Sequence, residues 1–193
     1  ETAEALSHHQ GNLWLNGLTT FDKEVAEVLV RHKGGLGFQG LDTLDKETAE
    51  ILAKYEGDIL LGITTLDVVV AEKLSSIKGA LAFDYLKKID DKALEILVKK
   101  HGGFGLQFFS LESLNESQAK ILSKYQGAVW LGNLAHMDDL ALQALVKHQG
   151  SLVLGLENLN PQQINILARR KGNVFFTNPT AKKVFEEAFQ LTP

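Results

Sequence analysis

Residues 11–33 read GNLWLNGLTTFDKEVAEVLVRHK, and residues 34–56 read GGLGFQGLDTLDKETAEILAKYE. Laid over one another without a gap, the two stretches match Leu13 with Leu36, Leu15 with Phe38, Leu18 with Leu41, Ala26 with Ala49 and Leu29 with Leu52. The leading glycine then recurs at Gly57, Gly79, Gly102, Gly127, Gly150 and Gly172, so the spacings along the chain are 23, 23, 22, 23, 25, 23 and 22. A fixed period of this length identifies a repeat protein, in which no unit buries its own apolar face and neighbouring units must stack.

Each unit divides into two halves with different periods. The second and fourth residues after the glycine are apolar throughout, as in Leu13 and Leu15, Ile59 and Leu61, Leu81 and Phe83, Phe104 and Leu106, or Val174 and Phe176. Period two predicts a short strand with one face turned inward. About eleven residues after the glycine stands the column Asp22, Asp45, Asp67, Asp90, Asn115, Asp138 and Asn160, followed by apolar residues at helical spacing such as Ala49, Ile51 and Leu52. These are predicted N-caps, with Glu24 and Glu47 suited to the helix dipole and Pro161 at the first helical position. Each helix is expected to stop at the next glycine.

A strand joined through a helix to the next strand makes a parallel ladder. The expected fold is therefore α/β: a right-handed solenoid of about eight strand-helix repeats, with a parallel sheet on the concave side and helices on the convex side. Residues 1–10 read as the tail of a preceding helix, residues 11–171 as seven repeats, and residues 172–193 as a last strand and a capping helix carrying Val184, Phe185, Ala188 and Phe189. On this reading the chain starts inside a unit, as if cut from something longer, and ends naturally. Units starting at Gly57 and Gly150 lose one residue before Ile63 and Leu156, and the unit starting at Gly102 is expected to gain two around Phe108 and Phe109.

The short strand, glycine-leucine turn and capped helix of GNLWLNGLTTFDKEVAEVL resemble the leucine-rich repeats, particularly irregular bacterial versions with units near 23 residues. Where the common leucine-rich pattern has a ladder asparagine, this chain has Leu18, Leu41, Ile63, Leu86, Leu134 and Leu156, so apolar packing is expected there. The resemblance implies a non-catalytic recognition surface, commonly for protein partners.

Composition narrows the partners. The 193 residues are 45% hydrophobic and 23% charged, contain no cysteine, and carry 20 basic against 24 acidic residues for a formal charge of −4. No global positive field favours nucleic acid, and no apolar run approaches the roughly 18 residues of a membrane span, so neither nucleic-acid binding nor membrane insertion is expected. Zero cysteines fit either redox compartment, and localisation stays open.

The outward residues of the strands form the column Trp14, Gly37, Leu60, Ala82, Gly105, Trp130, Val153 and Phe175, with no charge in it. The flanking columns, Asn12 to Asn173 and Asn16 to Thr177, include Gly103 and Gln107, contain no Lys or Arg, and have Asp58 and Asp84 as their only acids. A neutral face with exposed tryptophans beside glycines is what interface anchors look like. A second aromatic cluster is expected at the carboxyl ends of the strands, where Tyr85 and then Phe108 replace the turn glycine and Phe109 is added. The candidate binding residues are therefore Trp14, Leu60, Tyr85, Phe108, Phe109, Trp130, Val153 and Phe175, for a protein or peptide. Glycan binding, with Asn12, Asn16, Gln39, Asp84, Gln107 and Asn133 supplying planar polar groups, is the alternative. A structural spacer that self-associates through its N-terminal edge is the third reading.

Catalysis finds no support. There is no glycine-rich phosphate loop, no H-E-x-x-H helix and no G-x-S-x-G turn, and Asp58 and Asp84 are offset along the strands without a histidine beside them. His9 and His32, two residues before successive glycines, are expected about 5 Å apart with His8 beside them, but no carboxylate or cysteine completes a metal site. No cofactor or metal is expected.

Overall fold

Eight short strands, each too small to hold a face of its own, line up in chain order in one parallel sheet among the described residues. The computed structural model describes residues 2–20, 22–102 and 104–190. The strands are β1 (Leu13–Trp14), β2 (Leu36–Phe38), β3 (Ile59–Leu61), β4 (Leu81–Phe83), β5 (Gly105–Phe108), β6 (Ala128–Leu131), β7 (Leu152–Leu154) and β8 (Val174–Phe176). Between them run α2 (Lys23–Leu29), α3 (Lys46–Leu52), α4 (Val68–Leu74), α5 (Asp91–Lys100), α6 (Glu116–Leu122), α7 (Asp139–Leu145) and α8 (Pro161–Ala168), with α1 (Thr2–Ser7) before β1 and α9 (Pro179–Gln190) after β8. Parallel strands stack about 4.8 Å apart whereas packed helices need 8–10 Å, so the helical side must be the longer arc and the sheet the concave one.

The seven Asp or Asn residues of the capping column all accept from a first-turn amide of their helix, at 2.8–2.9 Å. Asn115 and Asn160 also donate their backbone amides to the side-chain oxygens of Gln118 and Gln163, whose side-chain amides in turn donate at 2.8 Å to the Ile89 and Met137 carbonyls of the preceding unit. Inward strand residues, the leucine column after them (Leu41, Ile63, Leu86, Leu111, Leu134, Leu156) and the helix stripes form one continuous buried core. Leu and Ile thus pack along this column, as expected. At the carboxyl end Ala181 of α9 is buried and Phe185 packs on Phe176 with ring centroids 5.2 Å apart. The Phe189 side chain lies outside the described residues.

Two expectations are corrected. The glycines are not where the helices stop: α2, α3, α4, α6, α7 and α8 end in right-handed caps at Val30, Ala53, Ser75, Ser123, Val146 and Arg169, three or four residues before the next glycine, and among the described residues only Gly11 and Gly34 have positive φ, at 94° and 150°. Their common role is clearance between units. A Cβ on Gly57, Gly79 or Gly150 would sit 2.2–2.3 Å from the carbonyl oxygen of the glycine one unit earlier.

The second correction concerns the 25-residue spacing. Leu81 pairs with Leu106, Ala82 with Gln107 and Phe83 with Phe108, so the two extra residues precede β5 rather than follow it. They lie where α5 runs on to Lys100, beyond the seven-residue length of its neighbours α4 and α6. Phe104, expected inward, is 82% exposed, and Gly105 pairs with Ala128 in the first outward column. Gly103 lies outside the described residues.

Candidate functional site

The register sets the outer face of the sheet. Its central column is Trp14, Gly37, Leu60, Ala82, Gln107, Trp130, Val153 and Phe175, with Gln107 in the place assigned to Gly105. Backbone amides of Gly62, Asp84, Phe109, Gly155 and Thr177 donate to Phe38, Leu61, Phe83, Leu131 and Leu154, which places Phe109 in the third outward column. Phe108, proposed as a surface aromatic, is instead core: it is 1% exposed and stacks on Phe83 with centroids 5.5 Å apart. Ser110, not Phe108, follows Tyr85 in the turn column.

The aromatics lie over glycines. The Trp14 ring covers Gly37, where a Cβ would meet Cε3 at 2.1 Å, yet the side chain remains 54% exposed. Trp130 reaches sideways over Gly132, whose Cβ would be 2.2 Å from the indole Nε1, and its ring tilts against Phe109 at 6.0 Å. Phe109 and Trp130 are half-buried by this contact. Tyr85 and Phe175 stand out at 47% and 52% exposed, while Leu60 and Val153 are half-buried. Offset aromatic pairs of this kind contribute about 0.5–1.5 kcal/mol beyond area burial, enough to hold the rings in place without a ligand.

Five polar side chains on this face, Asn12, Gln39, Asp58, Asp84 and Thr177, are tied to the backbone or to one another. Asn12 accepts from the Gly35 amide at 2.9 Å, and Asp58 accepts through Oδ1 from the Ala80 amide at 2.7 Å. Gln39 donates to Asp84 at 2.5 Å, and Thr177 Oγ1 donates to the Gly132 carbonyl at 2.5 Å; each spans a unit whose residue in the column, Gly62 or Gly155, carries no side chain. A hollow of about 200 Å³ lies between Trp14 and Phe109, bordered by Asn12 and Asp58 and floored by Gly35, Leu60, Ala80 and Ala82.

The opposite edge of the sheet carries a column of side chains at the helix ends, which begins with His9 and His32, the pair weighed for a metal. His32 Nε2 is 2.8 Å from the Gly11 carbonyl, Tyr55 donates to Gly34 at 2.5 Å, and Arg170 donates to Gly150. Each side chain thereby ties its helix end to the previous unit. Burial pushes the Tyr55 and Tyr125 hydroxyls up to about 12, with the Asp58 charge adding to the effect at Tyr55. His101, rather than Lys100, takes this column's place in the long unit, stacked on Tyr125 at 6.1 Å. Burial lowers the pKa of His101 and of His148, and the Arg170 charge lowers His148 further, against the raising influence of nearby backbone groups. His9 and His32 stack with centroids 6.2 Å apart, and no group of three metal-ligating side chains is present among the described residues.

Sequence reading missed a second hollow, of about 430 Å³, beside Phe104 and bordered by Lys100, His101, Tyr125 and Gly127. The signal was there: Leu86 to Leu111 and Asp90 to Asn115 are both 25 residues apart, which puts the insertion ahead of Leu106 once leucines rather than glycines are aligned. Among the described residues no helix is long and apolar enough to cross a membrane. No protein-family model and no curated protein matches the chain.

Proposed function

We propose that the chain is a non-catalytic recognition domain of leucine-rich-repeat type, which binds a protein or peptide across the outer face of its sheet. The observation that carries this reading is that Trp14, Tyr85 and Phe175 stay exposed, and Trp130 with Phe109 half-exposed, on a face whose columns hold no Lys or Arg. Large rings with few rotatable bonds lose little entropy when they are covered, and glycines beside them leave room for an incoming backbone. Leu60 and Val153 complete the apolar floor. Phe108 has no part in it.

The test is selection of displayed random octapeptides on the immobilised chain, with Trp14→Ala and Trp130→Ala as comparisons. Recovered sequences that bind the parent and lose at least tenfold in affinity with either variant support the reading. Competition by free sugars would favour glycan recognition instead, and a concentration-dependent mass with no peptide recovered would favour self-association.

A further inference from the structure

Resting on that reading, we infer that the hollow beside Trp14 receives the basic side chain, lysine or arginine, of the bound peptide, with the Asp58 carboxylate as its counter-charge. Strand β2 and the residue before it present only Gly37 and Gly35 outward, which lets the Trp14 and Asn12 side chains fold over them and form one wall of the hollow, with Asp58 and Leu60 beside it. Trp14 fills the space over Gly37 and the Asn12 amide lies over Gly35, where a Cβ would meet its Oδ1 at 3.0 Å, so the opening that remains lies beyond them, over Leu60, Ala80 and Ala82, with Asp58 at its rim.

The charge on this face has one sign. Of its two carboxylates, Asp84 is engaged by the Gln39 amide, whereas Asp58 uses Oδ1 to cap the Ala80 amide and has no further hydrogen bond or ion pair among the described residues. Tyr55, whose hydroxyl feels the Asp58 charge, donates its proton to the Gly34 carbonyl instead. Lys78, two residues before Ala80, pairs with Glu56. Beside this carboxylate an indole exposes much of its surface, and with no Lys or Arg in the three columns no resident cation competes for the seat. A carboxylate and an aromatic ring together favour a cation, which the ring attracts through its quadrupole and the carboxylate through its charge. A neutral apolar side chain would leave the Asp58 charge partly desolvated and unpaired.

Asp58→Asn separates charge from fold, because Asn12 in the same column caps the Gly35 amide with its own side-chain oxygen. The octapeptide selection is run on the parent, on Asp58→Asn and on Trp14→Ala, with circular dichroism confirming that each is folded. The expected result is at least fivefold enrichment of Lys or Arg at one peptide position on the parent, lost on Asp58→Asn while the apolar preferences persist. Affinity of a selected basic peptide should also fall with added salt. Peptides that bind the parent without basic enrichment, or basic enrichment that survives Asp58→Asn, overturn the inference and leave the recognition face intact. Failure to recover any peptide above background overturns both.

Discussion

His101 and His148 are buried with their pKa values lowered chiefly by that burial, so the folded chain holds them neutral near pH 7. In the unfolded chain each returns to about 6.5 and binds a proton more readily, which makes stability rise with pH across this window. Their contribution is complete above about pH 6.5 and is lost as pH falls from there toward the lower folded values. Thermal melts between pH 7.5 and 5 should show this decline, and His101→Tyr or His148→Tyr should flatten it, since tyrosine already occupies the column at Tyr55 and Tyr125. An unchanged slope in both variants would remove these histidines from the account. The glycines offer a sharper contrast. Gly57→Ala drives a methyl group against the Gly34 carbonyl and should destabilise by about 1–3 kcal/mol. Gly102→Ala meets open space and should stay within about 0.5 kcal/mol in a urea titration.

At the scale of the element, caps do more for these helices than their exposed charges. Seven-residue helices are too short to be stable alone, and each begins on a side chain that satisfies an otherwise orphaned amide. Asp67→Ala should cost about 1 kcal/mol by chemical denaturation, and Asp67→Asn should recover most of it, because asparagine caps equally at Asn115 and Asn160. Ion pairs such as Lys73 with Glu50 at 2.9 Å and Lys87 with Glu112 at 2.9 Å bridge successive units, but they lie at the surface, with Lys73 alone half-buried, and contribute little. Strand β5 shows how a unit absorbs extra length. The leucine column and the Phe83–Phe108 stack hold its register, and the surplus is pushed back into α5 and the turn after it. Removing one of the three residues between His101 and Gly105 restores the two-residue spacing found between Tyr125 and Ala128 and should leave the melting temperature nearly unchanged, whereas Phe108→Ala should cost about 3–5 kcal/mol.

Over the whole molecule, periodicity and capping chemistry made the fold readable. A glycine every 22 to 25 residues, paired apolar columns and an Asp/Asn column are local signals repeated until chance is excluded, and they predict the strands, the helix starts and their order in the sheet. The site was legible only in part. Trp14, Tyr85 and Phe175 are exposed, yet Phe108 is core and Phe104 is not, since a two-residue insertion aligned from the wrong landmark reverses no parity but displaces every side chain by one strand position pair. The repeat itself was determined by sequence alone, because each unit carries its own strand, cap and helix pattern. Tertiary packing decided which aromatic reaches solvent, why the glycines are needed and where the insertion lies: these depend on contact between neighbouring units, where one carbonyl or one phenylalanine stack selects among registers that a single unit leaves equivalent.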